Sequence, residues 1–231
     1  MIKKKYIIAL IPAKKNSIRL NGKNLKRIGH SKKRLIWFSI KAALKAKHIS
    51  KVIVSTDCEK IKVFSEKNGA EVPFLRPKNL CLKNTKMLDV MMHAYKKINS
   101  EDNKIKAMVI LQPTSPLRES NDIDQAINFF YKKRADYVAS FSKAKPINWY
   151  YRLNKDKSFQ IKKKYKNKDI DNNYLINGSI YIFNSKIFKK KFEIRKSFGF
   201  EMPYTKSFDI DTLEEFKVTE AMLNRRMNKK K

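Results

Sequence analysis

The chain has 231 residues, 54 Lys or Arg against 21 Asp or Glu, a formal charge of +33, and 42% hydrophobic and 11% aromatic residues. That length supports one core with room for an appendage, and the apolar content excludes a disordered chain. No stretch approaches the ~20 apolar residues that cross a bilayer, and the first residues lack the apolar centre of a signal peptide. Cys58 and Cys81 form no metal or redox motif, so free thiols in a cytoplasmic enzyme are expected. The lysines occur in nearly every segment and form no single stripe, which favours a compositional bias over a polyanion-binding surface. A basic nucleic-acid-binding protein stays as the rival from another class.

Tyr6 to Ile11 is a short apolar run rich in β-branched residues that ends at Pro12, the pattern of a buried strand. In an α/β protein such a strand delivers its next loop to the edge of the sheet where ligands bind. That loop carries Lys14, Lys15, Arg19 and Lys23 with Ser17, Asn21 and Asn24. Cations that offset charge, beside amides and a hydroxyl that read oxygens or a base edge, suit a triphosphate. A solvated lysine-rich loop is the plain alternative.

Leu35, Phe38, Ala42 and Ala43 recur at helical spacing within Arg34 to Lys47, and Lys51 to Ser55 reads as the second strand. Thr56 and Glu59 have capping-box spacing, opening a helix that stops before Asn68-Gly69. Ala70 to Pro77 is extended, its prolines arguing against a central strand, and Arg76 faces either substrate or solvent. The following helix should bury Leu88, Met91, Met92 and Tyr95. Ile105 to Leu111 is a further buried strand. It runs into Gln112-Pro113-Thr114-Ser115-Pro116-Leu117-Arg118, a turn whose backbone the prolines fix. There Gln112 can meet a base edge and Arg118 a carboxylate or phosphate. Asn121 is the expected cap of the next helix, and Tyr137 to Phe141 the next strand.

From Lys143 to Ile176 ten basic and three acidic residues accompany scattered aromatics, among them Trp149, Tyr150, Tyr151, Phe159, Tyr165 and Tyr174, without a helical period. This reads as an inserted extended lobe, with side chains of the kind enriched at protein interfaces. Asn177 to Phe183 is a strand in which Gly178 permits close approach to the backbone. Asp209 and Asp211 lie two apart at a strand end, which puts both on one face. Paired hard oxygens there suit Mg²⁺ (or Mn²⁺) on a triphosphate, while Asp211 with Glu214 also has the spacing of a helix cap. Leu213, Phe216 and Ala221 should face the sheet from the last helix.

Several stretches resemble the acylneuraminate cytidylyltransferases, in chain order and from residue 5 to about residue 224. They are the loop Ala13 to Asn24, the Ala70-to-Pro77 segment, Gln112 to Arg118, Asn177-Gly178 with its strand, and Asp209-Ile210-Asp211 followed by Glu214-Glu215-Phe216. In the loop Lys14 stands for the family's Arg, and Lys15 and Asn16 replace two glycines. Asn16 tolerates the left-handed region better than most residues. In the resemblance's terms the fold is a Rossmann-like, mostly parallel sheet flanked by helices, a single nucleotidyltransferase domain over residues 1–231 with the lobe 143–176 inserted for dimerisation. It implies transfer of the CMP moiety of CTP to a nonulosonic acid, with release of pyrophosphate. It assigns Lys14, Lys23 and Asp211 to the reacting phosphates. Ser17, Arg19, Asn24, Thr85, Gln112 and Asn177 go to the nucleotide, and Asp209 and Asp211 to the metal. The related ketodeoxyoctonate cytidylyltransferases are the near rival, against which Lys23-Asn24 and the Asn177-Gly178 strand count.

Overall fold

The computed structural model describes residues 6–16, 20–100, 104–146, 155, 157, 173–188 and 193–228. Its main sheet has six strands. In chain order they are β1 (Ile7–Pro12), β4 (Lys51–Ser55), β5 (Ala107–Ile110), β6 (Tyr137–Lys143), β7 (Tyr174–Asn184) and β8 (Ser197–Glu201). The spatial order is β4-β1-β5-β7-β6-β8. β4, β1 and β5 run parallel, β7 lies antiparallel between β5 and β6, and β8 is parallel to β6. Two short strands, β2 (Arg27–Ile28) and β3 (Lys33–Arg34), pair separately. The helices are α1 (Leu35–Lys45), α2 (Glu59–Lys67), α3 (Met87–Ile98), α4 (Ser120–Lys132) and α5 (Leu213–Asn228).

The unbroken apolar run of β1 follows from burial on both faces. Ile7, Ala9 and Ile11 point into one core with Ile36 and Ile40 of α1, Ile61 of α2 and Ile127 and Phe130 of α4. Ile8 and Leu10 point into the opposite core with Met91 and Ala94 of α3. Each of these isoleucines is at most 2% exposed, and each is worth about 1.5–3 kcal/mol relative to an exposed side chain. A third cluster, Leu20, Ile28, Leu35, Leu117, Ile210, Phe216 and Leu223, packs α5 against the loops at the C-terminal edge of the sheet.

Several local expectations shift. Thr56 is not a helix cap: it bridges to Leu75, and its hydroxyl accepts from the Cys58 amide, so α2 starts only at Glu59. The expected end of α2 holds, with Gly69 at φ 96 just beyond it. On α3 the buried residues are Val90, Met91 and Ala94, whereas Leu88 is 46% exposed. The cap of α4 is Glu119, whose amide donates to Asp122 at 2.8 Å, in place of Asn121. On α5 Phe216, Thr219 and Leu223 are buried while Leu213 and Ala221 are exposed. An i, i+3, i+7 stripe faces the core; of the three expected residues Phe216 lies on it, and Leu213 and Ala221 do not. The aromatics of the inserted lobe other than Tyr174 fall outside the described residues. Its last residues, Tyr174 to Ile176, are the start of β7, paired with Phe141 to Lys143.

Candidate functional site

The chain leaves β1 towards β4 on one side and leaves β5 towards β6 on the other. The crevice beyond their C-terminal ends is therefore a switch point, where α/β sheets bind ligands. The loops after β1 and β5 form a cleft there. It is lined by Lys14, Lys23, Asn24, Arg76, Leu80, Leu82, Lys83, Thr85, Met87, Gln112, Thr114 and Asp211, among others. The structure thus brings six of the ten residues singled out from sequence into one lining: Lys14, Lys23, Asn24, Thr85, Gln112 and Asp211. Ser17 and Arg19 fall outside the described residues. His30, His48 and His93 do not line it.

The loop after β1 is held by side chains. The Lys15 amide donates to Asp57 Oδ1 at 2.7 Å, and buried Asn24 donates from Nδ2 to the Lys14 carbonyl at 3.0 Å. Lys14 Nζ points at the Cys81 carbonyl 3.5 Å away. Asn24 therefore shapes the loop, in place of offering a free amide. Asn16 does not adopt the left-handed conformation. Among the described residues positive φ outside glycine occurs only at Lys32, Arg134 and Lys157, and within the loop it falls on Gly22 at φ 63. Nothing lies within 4 Å of a Cβ there, so conformation, not space, calls for glycine.

Arg76 borders the cleft, yet its guanidinium is engaged by the chain. It is 6% exposed, its Nε donates to Ser55 Oγ at 3.0 Å, and its other contact is the Ser55 carbonyl at the end of β4. Arg118 is likewise structural. It donates to the Ser179 carbonyl at 2.7 Å and to Ser39 Oγ at 2.6 Å, with the Gln112 carbonyl at 3.4 Å. Burial lowers its pKa to about 9. It clamps α1, the turn and β7 together. Asn177 is buried too. Its Oδ1 accepts from the Ser179 amide and the Ser140 hydroxyl, and its Nδ2 donates to Ser207 Oγ at 2.8 Å, which ties β7 to the segment leading to the aspartates.

That segment is not a strand. Buried Ile210 anchors it through its amide to the Thr114 carbonyl at 2.9 Å, and the two aspartates flank this anchor. Asp209 packs over Gly178, where an added Cβ would lie 3.2 Å from its Oδ2 and 3.8 Å from Gln112 Oε1. The close approach that Gly178 permits is therefore by the protein's own side chains. Burial raises the Asp209 pKa, against the lowering effect of a Thr114 hydrogen bond. Its Oδ1 is buried with no hydrogen-bond partner among the described residues. Asp211 Oδ1 accepts from Lys23 Nζ at 3.0 Å, and the same ammonium reaches the Ile210 carbonyl at 2.7 Å. The helix cap falls to Thr212. Its hydroxyl accepts from the Glu215 amide while Glu215 Oε2 accepts from the Asp211 and Thr212 amides.

An orphaned buried carboxylate oxygen beside a second carboxylate fits a hard divalent ion. Among the described residues there is no cluster of three His, Cys, Asp or Glu. The remaining ligands of such an ion would be water and phosphate oxygens, as Mg²⁺ prefers. Lys83 and Thr114 also belong to the site. Lys83 carries no signal in a chain this rich in lysine. Thr114, read from sequence as a turn residue, sets the Gln112 amide through Oγ1 to Oε1 at 3.3 Å.

A cationic cleft with a carboxylate pair at a switch point defines a nucleotide-handling α/β enzyme. The cytidylyltransferase family profile matches residues 8–228. The chain belongs to the cytidylyltransferase family, CTP-dependent nucleotidyltransferases. It is 32% identical to the CMP-N,N'-diacetyllegionaminic acid synthase of Legionella pneumophila, over 94% of this chain and 96% of that one. It is 30% identical to the N-acylneuraminate cytidylyltransferase of Streptococcus agalactiae, over 90% of this chain but 51% of that longer protein. The pseudaminic acid cytidylyltransferase of Campylobacter jejuni is 28% identical over 93% and 95% of the two chains. Among solved structures, a CMP:2-keto-3-deoxy-manno-octonic acid synthetase complexed with CTP superposes with TM-score 0.72 at 15% identity. The match covers 96% of this chain and all of that one, a likeness of fold.

Proposed function

We propose that the chain activates a nonulosonic acid, joining it to CMP from CTP with release of pyrophosphate. The observation that carries this is about 30% identity, over at least 90% of this chain, to relatives named for legionaminic, neuraminic and pseudaminic acids, with near-complete coverage of the legionaminic and pseudaminic ones. The near rival, an eight-carbon keto acid, has support from likeness of fold alone.

In this reading the anomeric hydroxyl of the sugar acid attacks the α-phosphorus of CTP as the bond to pyrophosphate breaks. Lys14, Lys23 and Lys83 offset charge on the phosphates from the cleft wall. Gln112, oriented by Thr114, offers its amide to the base, and Thr85 lines the same wall. Asp209 and Asp211 would hold a divalent ion, which supplies charge compensation for the triphosphate when bound. Positioning and charge neutralisation carry the rate, and no side-chain nucleophile is required. Ser17 and Arg19, from the same loop, would also serve the nucleotide. The lobe 143–176 would join two copies. Leu175 and Ile176, at its end, are 65% and 49% exposed on β7, apolar area that a twofold partner would cover.

The test is pyrophosphate release from CTP across a panel of neuraminate, legionaminate, pseudaminate and ketodeoxyoctonate. Turnover with a nine-carbon acid supports the proposal. Turnover confined to ketodeoxyoctonate moves the substrate to the near rival.

A further inference from the structure

We infer that Lys23 is an internal counter-ion that shuts the nucleotide-free protein to a bare divalent cation, so that ion and nucleotide must enter together. The inference rests on reading Asp209 and Asp211 as the holders of the ion.

The Lys23 ammonium lies between the Asp211 carboxylate at 3.0 Å and the Ile210 carbonyl at 2.7 Å. Its side chain is only 13% exposed, against 30% for Asp211. A divalent ion takes carboxylate oxygens at roughly 2.0–2.1 Å, for Mg²⁺, in near-octahedral geometry. An ion on Asp211 would therefore sit beside a half-enclosed like charge, in a cleft where water screens poorly. Asp209 cannot compensate alone. It lies behind Gly178 with one oxygen buried and unpartnered, so a single carboxylate would face a doubly charged ion beside an ammonium. The bare ion has two unfavourable routes: to share Asp211 with Lys23, or to expel Lys23 into a cleft whose other charged walls are also cationic.

A triphosphate removes the conflict. Its oxygens give the ammonium a new anionic partner, and the flexible four-carbon stem lets the lysine turn towards it. The same oxygens supply the ligands that the protein lacks. Lys23 thus passes from Asp211 to phosphate as the ion takes its place. An arginine would suit this exchange less well, since its planar fork holds a carboxylate in two bonds.

The test is Mn²⁺ binding to the full-length protein, followed by electron paramagnetic resonance and water-proton relaxation. The proteins are the parent, Lys23→Met and Lys23→Gln. The glutamine variant keeps a donor for the Ile210 carbonyl while losing the charge, so it serves where the methionine variant folds poorly. Without nucleotide, the parent should bind Mn²⁺ weakly and the neutral variants at least tenfold more tightly. Adding Asp211→Asn to Lys23→Gln should abolish that gain. With a non-hydrolysable CTP analogue the parent should hold Mn²⁺ in a ternary complex. Equal weak binding by the parent and both neutral variants, alongside a ternary complex with the analogue, overturns the counter-ion role and leaves the metal reading intact. Failure of every protein to hold Mn²⁺ even with the analogue overturns both.

Discussion

Asp209 is a carboxylate that burial disfavours, and its Oδ1 has no hydrogen-bond partner among the described residues. Its folded-state pKa is raised, so the stability linked to its proton is present below the ordinary carboxylate range and lost as pH rises through that raised value. Asp209→Asn should therefore stabilise the metal-free protein at neutral pH by about 1 kcal/mol, a few degrees in calorimetric melting. The gain should shrink below about pH 4, where the parent's carboxyl is protonated in both states. The same variant should lose nearly all cytidylyl transfer. Arg118 makes the opposite case. Arg118→Lys keeps a charge but cannot span the Ser179 carbonyl and Ser39 hydroxyl together, and should cost about 2–3 kcal/mol in urea unfolding. An unchanged midpoint would show that the clamp does not act. At this scale the sequence marked the right positions but not their partners. Arg118, Asn177 and Asn24 sit in motifs that suggest ligand contact, yet their hydrogen bonds go to the chain itself. Bond partners are set by tertiary placement, which spacing does not encode.

The elements were legible where both faces of a strand are buried. β1, β4 and β5 emerge from apolar runs because cores on both sides demand them. Helix ends were less legible. Thr56, Asn121 and the Asp211–Glu214 pair all have capping chemistry, yet α2 follows Cys58 with no side-chain cap, Glu119 caps α4, and Thr212 accepts from the Glu215 amide at the start of α5. A β-bridge at Thr56 and the Ile210 anchor fix where the chain can turn, and capping follows. The loop after β1 shows how an element lacking the family's glycines is held. Asp57 accepts from the Lys15 amide and Asn24 Nδ2 donates to the Lys14 carbonyl, so the loop is shaped from its flanks. Asp57→Ala should weaken CTP binding about five- to tenfold by titration calorimetry, by roughly 1–1.4 kcal/mol, with little change in melting temperature. Parental CTP affinity in that variant would show that the loop does not depend on this contact.

For the whole molecule, the charge of +33 bears on assembly more than on fold. The lobe 143–176 carries ten basic residues, and on a twofold partner these repel one another, more strongly at low salt where screening is longer-ranged. The proposed homodimer should tighten in sedimentation as salt rises from low to moderate, and deletion of the lobe should leave a monomer. A polyanion-binding lobe behaves in the reverse sense, with affinity for nucleic acid falling steeply as salt increases. A monomer at every salt concentration would contradict the dimer. Among the described residues no helix is long and apolar enough to cross a membrane. The α/β class and the loops that build the cleft follow from patterns that the sequence carries openly, whereas the antiparallel place of β7 between β5 and β6 does not. The choice of sugar acid does not, since the residues that read it must lie beyond the nucleotide cleft.

The central claim is tested most directly by following the phosphorus of CTP with ³¹P NMR in the presence of Mg²⁺ and a nine-carbon keto sugar acid. The account predicts loss of the triphosphate signals with equal appearance of pyrophosphate and one phosphodiester resonance of a CMP-sugar, and neither product from Asp209→Asn. Unchanged CTP with every nine-carbon acid, or turnover in Asp209→Asn at the parental rate, would contradict it.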